Sequence, residues 1–553
     1  MERKFIAPGP GTWQLDTTHS HGAMTFYAAE CFEGLPRGFK EGCAKYGLMI
    51  SHPQPLFMHN FFFTQLVPFI GKPGGNPPPK MVFKLLTRVH PGIRRRASTA
   101  HTAFVERRWL QDLAEWDELK KDSIRRNTRL QSVDLAKLDD AGLIAHLQDC
   151  KTNAEEMVYR HHIYSVGAIL PIGWFLDVAT RNSGLAPKDV AILLKGSTPV
   201  SAGIAGTELA RLAAAIKAAN ISKESLESQP AEQALAALRA DPVINSALND
   251  YLAITGYMLI GGYCISEKTL NESPNIQMAR IMDALTPRPA AEFDTALEQK
   301  IRAQIPEQDR AEFDLALADA RKANRMRDER GIYNDIWGAG VSRTAILEAG
   351  RRLAQRGILS DAELILDATH EEMLGLLRGT SKVPEDELKD RRHWRINKSI
   401  DEVPPVLGPP PSPPPPLDWL PAKLHSTMRA FGMVMGNVFD DAAEASPDQI
   451  KGLPVSPGVY EGTARVILST RDFGRLQQGD VLITKNTSAG FNVVLPIIGA
   501  LVTDRGGLLS HAAIVSREYG IPGVVSTKTA TQLVPDGARV RVDGDKGEVT
   551  VLS

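Results

Sequence analysis

From Thr503 to Val525 the chain reads Thr-Asp-Arg-Gly-Gly-Leu-Leu-Ser-His-Ala-Ala-Ile-Val-Ser-Arg-Glu-Tyr-Gly-Ile-Pro-Gly-Val-Val, and this run leaves the backbone few options. Leu501 and Val502 end a strand, and Gly506 and Gly507 open a turn free of Cβ constraints. Ser510 can cap a helix running from His511 to Tyr519. Gly520 supplies a left-handed stop, Pro522 prevents continuation, and Gly523–Val525 returns to strand. His511 falls at the positive end of the helix dipole, beside free backbone N–H groups, where a phosphate is stabilised. A lone histidine at a helix start is ordinarily a surface or capping residue, so its neighbours decide its role.

The pieces Gly-Gly, Ser-His-Ala-Ala, Arg-Glu and Gly-Ile-Pro fall in one short run. Together they resemble the phosphohistidine signature of the swivelling domain in phosphoenolpyruvate synthase, pyruvate phosphate dikinase and related phosphotransferases. The resemblance extends from Leu453 to Ser553. It takes in Val455-Ser-Pro-Gly-Val-Tyr-Glu-Gly-Thr-Ala-Arg-Val466, Gly479-Asp-Val-Leu-Ile-Thr484 and Val540-Arg-Val-Asp-Gly-Asp-Lys-Gly-Glu-Val549. It implies a β/α phosphohistidine swivelling domain over 453–553, in which His511 accepts a phosphoryl group on its distal nitrogen and passes it on. Strands are expected at Thr463–Leu468, Asp480–Thr484, Ala500–Thr503, Gly523–Ser526, Arg539–Val542 and Glu548–Leu552.

A neutral imidazole needs little activation as a nucleophile, and its phosphoramidate keeps a high transfer potential. In the expected phosphate-binding loop, Gly506 and Gly507 allow close backbone approach, and Ser510 caps the helix or touches phosphoryl oxygens. Arg505 is placed to reach the phosphate or a partner surface. Arg517 lies six residues beyond His511 on nearly the opposite side of the helix, which favours structural pairing. Two departures from the dikinases stand out. Leu509 replaces a threonine common two residues before the histidine. The segment Asn486-Thr-Ser-Ala-Gly-Phe-Asn-Val-Val-Leu-Pro496 replaces a Thr-x-Pro-Asp/Glu-Trp type of loop.

The whole chain, 553 residues, is expected to be a multidomain α+β protein. Residues 1–440 read as an acceptor-binding region, mixed α+β to about residue 130 and mainly helical beyond it, with a proline-rich strap at 403–416. Residues 441–452 read as a hinge linker. Lys and Arg total 64 against 65 Asp and Glu, which points away from nucleic acid and from an acidic membrane surface. Cys31, Cys43, Cys150 and Cys264 match no zinc spacing and read as reduced, buried thiols; no metal is expected in this chain. Without a signal-peptide pattern or an apolar run long enough to span a bilayer, a cytoplasmic protein is expected.

There is no Gly-x-x-x-x-Gly-Lys-[Ser/Thr] phosphate loop and no segment resembling an ATP-grasp-like domain. Mg2+ and ATP are therefore expected on a separate ATP-binding subunit. The region 1–440 resembles the acceptor-binding region of rifampin phosphotransferase and the histidine-bearing subunit of phenylphosphate synthase. The residues concerned include Gly11-Thr-Trp-Gln-Leu-Asp-Thr-Thr-His19, Tyr251-Leu-Ala-Ile-Thr-Gly-Tyr257, Asn271-Glu-Ser-Pro274 and Arg343 to Leu359. That resemblance implies transfer from His511 to the hydroxyl of a small phenolic or other aromatic acceptor. Phe26, Tyr27, Phe61, Phe62 and Phe63 are candidates to line its pocket, with ordinary core packing as the alternative. His19 and His21, on one side of an extended segment, are candidate acceptor bases, and His161 and His162 on a helix are the next pair. A non-enzymatic phosphocarrier or regulatory subunit, and a truncated phosphoenolpyruvate-synthase-like enzyme, are the competing readings.

Overall fold

The structure, a computed structural model, describes residues 3–17, 20, 22–198, 205–286, 292–438, 450–468, 470–487, 491–492 and 494–552. Two compact units divide the chain. The first comprises residues 1–177, 263–266 and 329–433, and the second residues 178–262, 267–328 and 434–553.

This division differs from the expected boundary between 1–440 and 453–553. The helices between 178 and 328 cluster with the C-terminal domain because they hold it directly. Arg327 donates to the Leu509 carbonyl at 2.8 Å, and the Gly196 N–H donates to the Glu518 carboxylate at 3.0 Å. Of the expected hinge, residues 441–449 lie outside the described residues, and Ile450–Lys451 form a strand rather than a linker.

In the first unit, strands β1 (Trp13–Leu15), β2 (Ile50–Met58), β3 (Phe61–Pro68) and β4 (Val406–Leu407) pair antiparallel in the order β2-β3-β1-β4. The β2–β3 hairpin turns through His59 and Asn60, both at positive φ (50° and 67°), the conformation a two-residue hairpin needs. Successive side chains of a strand point to opposite faces, and both faces of β3 are covered. Phe61 and Phe63 pack with Trp13 and Leu407, while Phe62 packs with Met24, Ala28, Phe32 and Val158. The proline-rich strap contributes β4 to this sheet, and residues 408–416 beyond it are almost wholly exposed.

Helices fill the rest of the first unit, among them Asp140–Ile163 and Trp337–Gln355. Contrary to expectation, the helical run Asp140–Arg181 is long and apolar enough by composition to cross a membrane, with a window of mean hydropathy 1.5. Of that window 89% is buried inside the protein, so core packing accounts for its apolarity.

The second unit carries strands β5 (Ile450–Lys451), β6 (Leu453–Ser456), β7 (Val459–Val466), β8 (Val481–Thr484), β9 (Ala500–Thr503), β10 (Gly523–Val525), β11 (Arg539–Asp543) and β12 (Glu548–Val551). Their order is β5-β12-β11-β7-β8-β9-β10-β6, with β7, β8, β9 and β10 mutually parallel and the remaining pairs antiparallel. The six expected strands all form; β7 starts earlier than expected because Val459 to Gly462 pair with β11. Small and β-branched residues fill the core, including Ala464, Val481, Ile483, Val502, Val524 and Val540.

Candidate active site

Parallel strands deliver the loops that follow them to one edge of a sheet. β8 ends at Thr484 and β9 at Thr503, so segments 485–499 and 504–510 leave the same edge. The second segment places His511. Asp504 anchors it, accepting from Thr527 Oγ1 and from the Thr531 N–H at 3.1 Å each. Gly506 then turns at φ +114°, where a Cβ would lie 2.9 Å from Ser510 Oγ, so a side chain is excluded twice over. Ser510 Oγ accepts the Ala513 N–H at 3.3 Å, His511–Tyr519 is helical, and Gly520 ends the helix at φ +63°. Cap, helix and stop agree with the sequence reading.

The first segment grips the imidazole. Thr487 Oγ1 lies 2.9 Å from His511 Nδ1, and Asn492 Oδ1 lies 2.9 Å from Nε2. In this arrangement Nε2 carries the ring proton for Asn492, and Nδ1 accepts the Thr487 hydroxyl. Asn492 Nδ2 is buried without a hydrogen-bond partner among the described residues. Turning that amide would present an N–H to Nε2 and move the ring proton to Nδ1, with Thr487 Oγ1 now accepting it. Thr487 thus serves both tautomers, including the one whose Nε2 lone pair is available to phosphorus.

His511 is half-buried, yet its ring is enclosed by protein groups. Burial first, and then the positive charge of Arg327, hold its pKa down at about 3, from an ordinary 6.5. The imidazole is therefore neutral across the physiological range, as a nucleophile must be. The same buried cation that disfavours a protonated ring favours a doubly charged phosphoryl group on it.

The expected loop residues Gly506, Gly507 and Ser510 are at the site. Arg505 is held there by its backbone, its N–H donating to the Lys485 carbonyl at 2.9 Å and its carbonyl accepting Thr503 Oγ1 at 2.8 Å. Arg517 pairs structurally, as expected, donating to the carbonyls of Val455 and Leu508 at 3.2 and 3.1 Å. His19 and His21 lie outside the described residues. Tyr27, Phe61, Phe62 and Phe63 are 0–1% exposed and pack the core of the first unit, so the packing alternative describes them rather than an open pocket. Phe26 lies against the Arg391 guanidinium, 4.7 Å from its ring centre. Cys31, Cys43 and Cys150 are buried free thiols, whereas Cys264 is only half-buried, accepting a hydrogen bond from Ser266 Oγ at 3.2 Å.

Sequence reasoning missed Thr487, Asn492 and Arg327. The segment 486–496 had already stood out as a departure from the dikinase loop. Recognising β8 and β9 as parallel neighbours would have brought it to His511. Arg327 lies 182 residues before the carbonyl it holds, and no local pattern signals that contact.

Comparison with known proteins gives two family matches. Residues 476–547 match the mobile domain of the PEP-utilising enzymes, and residues 161–328 match the fourth domain of rifampicin phosphotransferase. Over 245 residues the chain is 30% identical to the uncharacterized phosphotransferase YvkC of Bacillus subtilis, covering 44% of this chain and 28% of that protein. It is 33% identical over 212 residues to the rifampicin phosphotransferase of Bacillus cereus, covering 38% of this chain and 22% of the relative. Over 100 residues it is 46% identical to a probable phosphoenolpyruvate synthase of Archaeoglobus fulgidus, covering 18% of this chain and 13% of that one. The chain thus spans less than a third of the length of each of these relatives.

Proposed function

This chain carries the mobile domain of a PEP-utilising enzyme, and on that premise we propose that it is a phosphotransferase whose carrier is His511. The phosphoryl group comes from Mg·ATP held on a separate ATP-binding subunit, and it passes to the hydroxyl of a small phenolic or other aromatic acceptor bound by residues 1–440. The observation that supports this reading best is the state of His511. It is a neutral imidazole at a helix N-terminus, gripped by Thr487 and Asn492, with a buried arginine beside it.

The chain's own residues divide the work. Thr487 fixes the ring and accepts the Nδ1 proton while Nε2 acts as nucleophile, and Asn492 must yield Nε2 before phosphorus can approach. Backbone N–H groups of the first helical turn and the Arg327 charge stabilise the phosphoryl oxygens. ATP supplies the phosphoryl group when it is bound, and Mg2+ neutralises its charge.

The test is labelling. Incubation with a cognate ATP-binding subunit and ATP carrying 32P at the β or γ position is expected to leave acid-labile label on this chain. His511→Ala is expected to remove it. A His511→Ala chain labelled as strongly as the parent would sink the assignment. Label that stays on His511 across a panel of phenols and alcohols would instead favour a regulatory phosphocarrier.

A further inference from the structure

The helix Lys80–Val89 of the first unit reverses the usual arrangement of an amphipathic helix. A surface helix turns its apolar stripe to the core. Here Met81, Leu85 and Val89, spaced one helical turn apart, are 85%, 60% and 58% exposed, and Val82 and Leu86 beside them are 47% and 41% exposed. Thr87 is the residue this helix buries. The next helix, Pro91–Val105, follows the rule and buries Ile93, Ala97, Ala100 and Ala103.

Contacts on its inner side hold the helix in this orientation. Phe83 meets Trp419 with ring centres 5.7 Å apart, and Lys80 pairs with Asp418 at 2.8 Å. Just before the helix, Ser412 Oγ donates to Asn76 Oδ1 at 2.9 Å, so the segment after β4 fastens both. His90 ends the helix, its N–H donating to the Leu86 carbonyl at 2.9 Å, and its Nδ1 accepts the Gly92 N–H at 3.1 Å to start the next one. The apolar face is thus a fixed ridge.

Charge is distributed as unevenly as polarity. Residues 70–105 contain seven Lys and Arg and no Asp or Glu, a local excess hidden in the total of 64 against 65. Lys80, Lys84 and Arg88 follow one another at a helical turn and border the apolar face on the side of Met81 and Leu85. Arg94 and Arg95 are exposed on the following helix. Among the described residues, Arg88, Arg94 and Arg95 pair with no acid, and Asp418 answers Lys80.

We propose that this helix seats its apolar face in an anionic phospholipid bilayer, with Lys80, Lys84 and Arg88 at the level of the headgroups. An exposed apolar face bordered by cations is what an interfacial helix presents, and long basic side chains reach sideways to the phosphates while the apolar ones enter the acyl boundary. A protein partner fits less well. Centres of protein interfaces are built on aromatic anchors and are depleted in lysine. This face has no aromatic residue, and the nearby Phe83 and Trp419 turn on each other instead.

Vesicle flotation tests the assignment. The full chain is mixed with vesicles of phosphatidylcholine alone, or of equal parts phosphatidylcholine and phosphatidylglycerol, and the protein that rises with the lipid is measured. The parent is expected to float with the anionic vesicles at least roughly tenfold better than with the neutral ones, and to be released progressively by salt. The pair Lys84→Gln and Arg88→Gln is expected to lower partitioning onto anionic vesicles by roughly 30-fold. The pair Met81→Ser and Leu85→Ser is expected to lower it by roughly 100-fold, with unchanged circular dichroism and melting temperature in both variants. A parent that floats with neither vesicle, or equally with both, overturns the proposal. So does flotation that ignores salt, a test that needs no variant, or flotation that survives the Met81 and Leu85 substitutions. A parent that stays off the vesicles but self-associates or captures an ATP-binding subunit, and loses that in the Met81 and Leu85 variant, assigns the face to a protein and overturns it as well.

Discussion

Glu518 offers a quantitative test of how the domain that matches the PEP-utilising mobile domain is held within the second unit. It lies in the last turn of the helix His511–Tyr519, 4% exposed, and its two oxygens accept the Gly196 N–H at 3.1 and 3.0 Å. Burial pushes its pKa up from 4.5 to about 7, against the pull of the Gly196 N–H and of Arg517, with Asp328 adding to the rise. A raised pKa means that the protonated form is the one the folded state favours. The stabilisation is complete below the unfolded value near 4.5 and is lost as pH rises through about 7. A shift of that size corresponds to about 3 kcal/mol. Glu518→Gln keeps an acceptor for Gly196 without a charge to desolvate. The variant is expected to match the parent near pH 4.5 and to hold this contact about 3 kcal/mol more tightly at pH 8. Hydrogen exchange at the Gly196 amide and along His511–Tyr519, corrected for intrinsic rates, measures this directly. Parent protection should fall roughly 100-fold between pH 4.5 and 8, and variant protection should stay flat. Parallel pH profiles in the two proteins would refute the reasoning.

Thr487→Val removes the hydroxyl that serves both His511 tautomers. Acid-labile labelling of His511 is expected to slow about tenfold, the cost of one hydrogen bond, with unchanged circular dichroism. Gly506→Ala forces a Cβ against Ser510 Oγ at positive φ. It is expected to cost about 1–3 kcal/mol, read as a lower melting temperature of the second unit. Phe63→Ala opens a cavity at a fully buried position. It is expected to destabilise the first unit by about 3–5 kcal/mol in urea unfolding.

The legible parts of this protein were those decided within a few residues. Ser510, Gly520 and Pro522 bracket a helix whatever surrounds it, and the alternation of apolar runs and turns located six strands of the second unit. Pairings between distant segments were not legible. Thr487 and Asn492 reach His511 only because β8 and β9 are parallel neighbours, and Arg327 arrives on a helix from another part of the chain. The triple phenylalanine shows the ambiguity from the other side. An aromatic run suits a pocket and a strand covered on both faces equally well, and only the partners of β3 decide between them. His161 Nδ1 meets Asp335 Oδ2 at 2.6 Å only through the π-helical stretch Gly331–Ile336, for which sequence periodicity carries no signal.

The strap that supplies β4 also sets a clock. Thr12 Oγ1 donates to the Pro409 carbonyl at 2.8 Å across 397 residues, and β1 gains its second neighbour only through this segment. At about 5–20 residues per second, a ribosome takes roughly 20–80 s to make the intervening chain. Throughout that interval one edge of β1 has no strand beside it, while the whole helical insertion at 178–262 and 267–328 is being synthesised. The nascent N-terminal sheet is thus a waiting template, and slow translation or a chaperone shielding that edge would govern the yield of active protein.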